Sequence, residues 1–556
     1  MPDFSCVPLS QQLAYELSLS PLGPMSSHAL GRVDSIAQAL IERQLIELGS
    51  AESDKLVAQR LECLVFPLER AFAGFWIGHR LSYHAHAPAR KAAESIMRGP
   101  LAPVSGRIMN DVIASSKTGA MELERSIELA LDEARRLGAD QAEVAASLDS
   151  GLSATARLGE VENLEHTSDR GIGVTVYRDQ HKGSASTSEM TAEAIREVVR
   201  KAVSFAEYTA PDEHSGLADA ELMCGEIRDL DLDHAWDLDA GEAIDLAIRC
   251  ENAGRDYDKR INNSEGATVA SNRGVRAYGN THGFLGSYAK TSHSITCVLL
   301  TGDGGGMQRD YYYTAARAAD ELEAVEDVGR EAARRTIARL GAKKIKTGNA
   351  PVLFVPEVAR GFIGHAIGAL LGGAQYRKSS FLLGAKGQTL LPGFVDIVER
   401  PHLPRGMASA PYDSEGVATY DRDIVAGGVI GDYIMSSYSA RRLGLQTTAN
   451  AGGPQNLVVS ANAGGLDEIL SEMGTGLIVE ELIGQGVNMV TGDYSRGAVG
   501  HWVENGQIQY PVHEVTIAGN LRDLYGRVER IGDDRDLRGG IRCGSLLVGE
   551  MTIAGA

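Results

Sequence analysis

Apolar residues recur every three or four positions in LERSIELALDEARRLG (123–138), the mark of a helix burying one face, with Gly138 placed to end it. The pattern then turns to alternation. QAEVAASL, LSATARL, VENLEH, GIGVTVYRD and HKGSASTS read as short strands parted by Gly and Asp turns. Helical spacing returns in TAEAIREVVRKAVSFAEY, where Thr191 suits an N-cap and Glu193 the first turn. The acidic DLDLDHAWDLDAGE (229–242) reads as a linker into the helix AIDLAIRCENAGRDY. A second strand group follows (GATVASN, GVRAYGN, GFLGSYAKTS, HSITCVLLTG, QRDYYYTAA), closed by the helix VEDVGREAARRTIARLG. The order helix, strands, helix thus occurs twice, a hint of internal duplication. Strands bracketed by helices and joined by short turns predict an α+β fold rather than alternating βαβ units.

After KKIKTGNA the chain is Gly-rich and apolar to its end. AVGHWVENGQIQYPV predicts a hairpin, because Asn505-Gly506 supplies the positive φ angles of a type I′ turn. Pairing Glu504 with Gln507 would place His501 opposite Tyr510. Earlier, the strand-like APVLFVP runs into GFIGHAIGALLGG (361–373), predicted helical with Pro356 and Glu357 in the first turn. The expected division is 1–108, 120–215, 225–342 and a β-rich C-terminal domain 346–556. Residues 1–108 stand apart, with helical spacing around 29–48 and 53–72, the His-rich HRLSYHAHAPAR and only 7 of the 64 glycines. This segment reads either as a small helical appendage or as an extension ahead of a true start at Met109.

Charge and cysteine usage narrow the function classes. The net charge is −20, and residues 1–108 are balanced, so the excess falls wholly on 109–556. Such an acidic surface repels phosphate backbones, which argues against nucleic-acid binding. Six cysteines are scattered without close pairs, as expected of reduced thiols in the cytoplasm. No apolar run is long enough to predict a membrane span, and the start lacks the basic-then-apolar pattern of a signal peptide.

Candidate chemistry is sparse. A zinc-protease helix needs two histidines one turn apart with a glutamate beside the first. His365 is followed by Ala366, and Ala369 stands one turn on. His513-Glu514 has no partner at helical spacing, and His84 and His86 lie in the doubtful segment. No GxSxG elbow occurs, and Cys543 in IRCGS carries no signature of activation. TGDGGGM (301–307) lacks the Lys and Ser/Thr of a phosphate loop and reads as a turn. Asp413 and Glu415 form an acid pair better suited to turn and capping roles. TGDYSRGAVG gathers Asp493, Tyr494, Ser495 and Arg496 between glycines, as a turn network or a grip on a peptide backbone.

ENLEHTSDRGIGVTVYRD, SEGVATYDRDIV, SSYSARRLGLQTTANAGG, VTGDYSRG, VENGQIQYPV and CGSLLVGEMTIAG together resemble the PmbA/TldD family over roughly 120–556. The resemblance implies a cytoplasmic zinc metalloprotease built from paired, related subunits that enclose unfolded peptides between them. One kind of subunit carries His-Glu-x-x-x-His on the helix after a strand. The other, the PmbA (TldE) kind, lacks it. Aligned on LLGGAQYRKSSFLLGAKGQ, Ile363-Gly364 fall at His-Glu and Gly368 at the second His. Sliding to His365 gives Ala366 and Leu370 instead. Neither register keeps a ligand set, so the resemblance implies the PmbA kind.

The resulting expectation is a chain with no metal or cofactor site of its own and no catalytic residue. Its partner would be a TldD-like subunit holding the zinc, and Gly364, His365, Gly368, Asp493, Tyr494 and Arg496 would border the peptide cavity. A non-hydrolytic peptide-binding module, possible as a homodimer, is the alternative. Gly368→Leu is expected to overpack a close-packed surface or to block the cavity.

Overall fold

The computed structural model describes residues 116–302 and 306–555. The proposed helices at 29–48 and 53–72, His84, His86 and Met109 lie outside them. The chain is α+β. Its first half runs α1 (Ser116–Arg136), β1 (Gln141–Arg157), β2 (Glu160–Arg178), β3 (His181–Thr187), α2 (Ala192–Ala206), α3 (Ala240–Arg255), β4 (Ile261–Asn280), β5 (Leu285–Thr301), β6 (Gln308–Ala316) and α4 (Val325–Ala338). Thr191 caps α2 by accepting from the Ala194 amide, and Gly138 follows α1 at φ 80°. Asp239 and Glu242 form a capping box at the start of α3.

Segments 120–215 and 225–342 contribute to one six-stranded sheet, in the order β3-β2-β1-β4-β5-β6. Antiparallel β1 and β4 meet at its centre, so the two helix–strand–helix sets are related by a pseudo-twofold. Leu123, Ile127 and Leu131 of α1 join Val198 and Val199 of α2 over β1 and β2, while Ala243, Ala247, Val328 and Ala332 of α3 and α4 cover β4 and β5.

The strands are longer than the sequence pattern suggested. QAEVAASL and LSATARL are one strand, as are GATVASN and GVRAYGN. Gly151, which looks like a turn, and Gly274, read as the first residue of a strand, sit inside β1 and β4. A Cβ on Gly151 would come 2.3 Å from the Asn272 side chain, and one on Gly274 would come 2.5 Å from the Asp149 carboxylate. They are glycine because a neighbouring polar side chain fills the Cβ position.

The C-terminal half runs β7 (Gly348–Phe354), α5 (Pro356–Ala369), α6 (Gly372–Tyr376), β8 (Ile397–Glu399), β9 (Arg422–Ala426), β10 (Val429–Ile430), α7 (Ser437–Leu443), β11 (Leu457–Val459), α8 (Leu466–Met473), β12 (Gly476–Ile483), β13 (Asp493–Glu504), β14 (Gln507–Asn520), α9 (Leu521–Gly526), β15 (Val528–Ile531), β16 (Ile541–Arg542) and β17 (Leu546–Ala554). Two sheets form, β14-β13-β12-β7-β17-β15 and β10-β9-β8-β11-β16. β14 also pairs with β17, so the first sheet closes into a barrel. Helix α5 touches β7 and β12 of the barrel and β16 of the other sheet.

The β13–β14 hairpin turns at Asn505-Gly506, with φ 52° and 72° and Glu504 opposite Gln507. His501 faces Pro511, and Trp502 faces Tyr510. A bulge between Trp502 and Val503 shifts the register by one from the expected His501–Tyr510 pair.

Candidate functional site

Helix α5 begins where β7 leaves the barrel, with Val355 as N-cap and Pro356 in the first turn, where a missing N–H costs nothing. One face is sealed. Val358, Ala359, Phe362, Ile363, Ala366 and Ile367 are buried. The Phe362 ring stacks on Phe354 at 5.2 Å, and the Tyr525 hydroxyl donates to the Phe362 carbonyl at 2.7 Å. Glu357 in the first turn is locked by Arg335 and Arg538, each at 2.9 Å. Burial alone would raise its pKa, but these two guanidiniums overcome that and hold it at about 2. Glu357 therefore fixes the helix start and is not available as a base.

The other face carries Gly361, Gly364 or the adjacent His365, and Gly368, at successive turns and all at least partly exposed. A Cβ on Gly361 would meet nothing within 4 Å. On Gly364 it would meet only Ile541, at 3.6 Å, and on Gly368 only the end of Met489, at 3.4 Å. The close-packed surface expected around Gly368 is absent, because flexible side-chain ends rather than backbone face it. Neither Ile541 nor Met489 was foreseen here, since both come from segments far along the chain and carry no motif.

Strand β13 supplies the polar margin. The His365 ring lies edge-on to Tyr494, with centroids 6.0 Å apart. Burial, and next the positive charge of Arg496, lower the His365 pKa and keep the imidazole neutral. Tyr494 is 1% exposed, and its hydroxyl has no hydrogen-bond partner among the described residues. Strand alternation puts Asp493 on the opposite side from Tyr494 and Arg496. There it accepts from the Thr491 hydroxyl at 2.6 Å and stands 3.4 Å from the Asn520 amide, a turn network. The fold thus brings Gly364, His365, Gly368, Tyr494 and Arg496 together and sets Asp493 aside.

A zinc ion does not fit this helix. Ile363, Gly364 and Gly368 offer no ligand atoms, and the nearest ionic influence on His365 is a cation. Among the described residues no three His, Cys, Asp or Glu side chains gather at a metal site. Cys543 is fully buried, which pushes its thiol up to about 12, far from a reactive thiolate. Asp413 is also buried and accepts from the amides of Glu415, Val417 and Ala451 at 2.9–3.0 Å, the capping role its sequence suggested. Glu415 accepts from the Ser437 amide at the start of α7. No helix among the described residues is long and apolar enough to cross a membrane.

The described residues thus form an α+β fold in which helix α5 follows barrel strand β7 and turns a glycine-rich face outward. The models of PmbA/TldA metallopeptidase domain 1, central domain and C-terminal domain match residues 142–206, 233–340 and 347–555. The chain belongs to that family. It is 47% identical to the "Metalloprotease PmbA" of Escherichia coli O157:H7 over 444 residues, 80% of this chain and 98% of that one. A crystal structure from Bacteroides thetaiotaomicron, described as a modulator of DNA gyrase, is 26% identical with TM-score 0.75, covering 78% of this chain and 99% of its own. TldE from Thermococcus kodakarensis shares the fold at 18% identity, with TM-score 0.67 over 78% of this chain and all of that one.

Proposed function

We propose that this chain is the PmbA (TldE)-like subunit of a cytoplasmic heteromeric zinc metalloprotease, itself without metal and without catalytic residues. A TldD-like partner supplies the zinc, its water and the general base. The chain lends the open face of α5 to the wall of a shared cavity that admits unfolded peptide. Family membership supports the protease setting. The observation that carries the subunit's role is the stripe Gly361, Gly364, His365, Gly368. By the resemblance, Gly364 and Gly368 in one register, or His365 in the other, stand at ligand positions; the stripe has no ligand set and leaves space above the helix. Gly364, Gly368, His365 and Arg496 are the residues proposed to face peptide, with the buried Tyr494 ring behind His365. Asp493 is left out because its carboxylate serves the turn.

The test is reconstitution. Purified chain mixed with a TldD-like partner should form a complex that cleaves unfolded peptide and holds zinc on the partner alone. Strong cleavage by this chain alone, with one zinc bound per chain, would contradict the proposal. Peptide binding with no complex and no cleavage would favour a stand-alone binding module.

A further inference from the structure

The pseudo-twofold of the first sheet sets two equivalent edges side by side for comparison. One constant offset relates Gly151 to Gly274 and Ser168 to Thr291. β3 covers β2 only from Ile172 onward, and β6 covers β5 only from His293 onward. Each half therefore leaves one stretch with no strand on its outer side among the described residues, Glu160–Gly171 in β2 and Leu285–Ser292 in β5.

The β5 stretch is covered by other parts of the same chain. The Thr291 amide donates to the Leu232 carbonyl at 2.9 Å, and its carbonyl accepts from Arg317. The His234 amide reaches the Thr291 hydroxyl, and the Tyr412 hydroxyl takes the Gly286 carbonyl. The covering segment 229–234 is acidic and meets cations: Asp233 pairs with Arg273 and Asp231 with Arg405.

The β2 stretch is bare. Every residue from Glu160 to Arg170 is exposed, including Val161 and Leu164 at nearly half their full area. Among the described residues no neighbouring segment hydrogen-bonds to its outer side; the Arg170 amide is met only by the Asp169 carboxylate next to it. By the two-residue period, Leu164, His166 and Ser168 also turn their backbone groups outward. This edge is held rigidly. β1 pairs with β2 on one side and β4 on the other, and the turn amides of Leu158 and Gly159 donate to the fully buried Glu251 at 2.8 and 2.9 Å.

We propose that Glu160–Gly171 is a docking edge that takes one extended, basic segment of a partner protein as an added strand. The sign of the partner follows from charge. Glu160, Glu162, Glu165 and Asp169 outnumber the two nearby cations, Arg170 and Arg157, the second of which pairs with Glu162 at 3.3 Å. A second copy pairing edge to edge would set these carboxylates against one another. Leu164 and Val161 give alternate apolar side chains of the added strand something to cover. This inference does not depend on the protease reading.

The test uses the full chain and two synthetic heptapeptides with blocked ends, Lys and Arg alternating with Val in one and Glu alternating with Val in the other. The basic peptide should bind and the acidic one should not. Ser168→Pro deletes an outward N–H, a substitution an edge strand tolerates, and should weaken basic-peptide binding at least tenfold without changing net charge. Glu165→Lys should weaken it severalfold in a variant whose folding is not in question. Equal binding by wild type and Ser168→Pro, or no binding at all, overturns the proposal. Self-association of the chain abolished by Ser168→Pro assigns the edge to a second copy and overturns it as well.

Discussion

Glycine serves opposite purposes at two places in this molecule. Where α3 crosses α4, a Cβ on Gly254 would lie 2.7 Å from the Gly329 carbonyl oxygen, and one on Gly329 only 2.0 Å from that of Cys250. Those glycines let two helix backbones touch. On α5 the glycines face nothing nearer than the ends of Ile541 and Met489. A helix forfeits up to about 1 kcal/mol for each glycine in place of alanine, and at the crossing close packing offsets that loss. On α5 no packing contact does so. The space itself is then what those residues provide on the open face of α5, and the proposed role of that face rests on it.

The largest effect should come at the crossing. Gly329→Ala forces backbone apart and should cost about 3 kcal/mol, at the upper end for overpacking, as read by denaturant unfolding. Gly361→Ala and Gly364→Ala on α5 should do the reverse and raise stability by up to about 1 kcal/mol each. Destabilisation by both α5 variants would erase the contrast.

Titratable groups sharpen the same comparison. Asp413 lies under close cover. Burial, and next the charge of Glu415, raise its pKa to about 7, against roughly 3.9 when unfolded. The raised value penalises the folded state once the unfolded chain has ionised. Stability should therefore fall as pH rises from about 4 to about 7, with a slope of up to about 1.4 kcal/mol per pH unit from this group, and level off above. Glu415→Gln should make that fall shallower, measured as melting temperature against pH. His365, on the open face, works with the opposite sign. Its pKa is lowered, so the folded state loses stability as pH falls through the unfolded value of about 6.5. His365→Ala should remove that acid-side loss while costing only about 0.5 kcal/mol at neutral pH for the lost ring contact.

Features set by neighbouring residues were legible in the sequence. The α2 cap at Thr191, Pro356 opening α5 and the Asn505-Gly506 turn all follow from local chemistry. The family motifs pointed to α5, and by that resemblance neither register keeps a full His-Glu-x-x-x-His set there. Features set by distant contacts were not. Gly151 looked like a turn because the Asn272 side chain that fills its Cβ position comes from another strand. The bulge after Trp502 displaced His501 by one register position, and no residue type there announces it. Glu357 looked like an ordinary first-turn acid, yet Arg335 and Arg538 bind it from either side of the sequence. The openness around Gly368 was equally hidden, since small residues look alike whether they give room or fill it.

The most direct measurement is unfolded-peptide cleavage by the complex with a TldD-like partner, using Gly368→Leu and His365→Ala chains beside the wild type, with zinc supplied and melting temperatures recorded. If α5 acts by leaving room, Gly368→Leu should melt like the wild type and still join the complex while cleavage falls more than tenfold, and His365→Ala should keep most of the activity. Full cleavage with Gly368→Leu, together with near-total loss in a folded His365→Ala, would contradict the account.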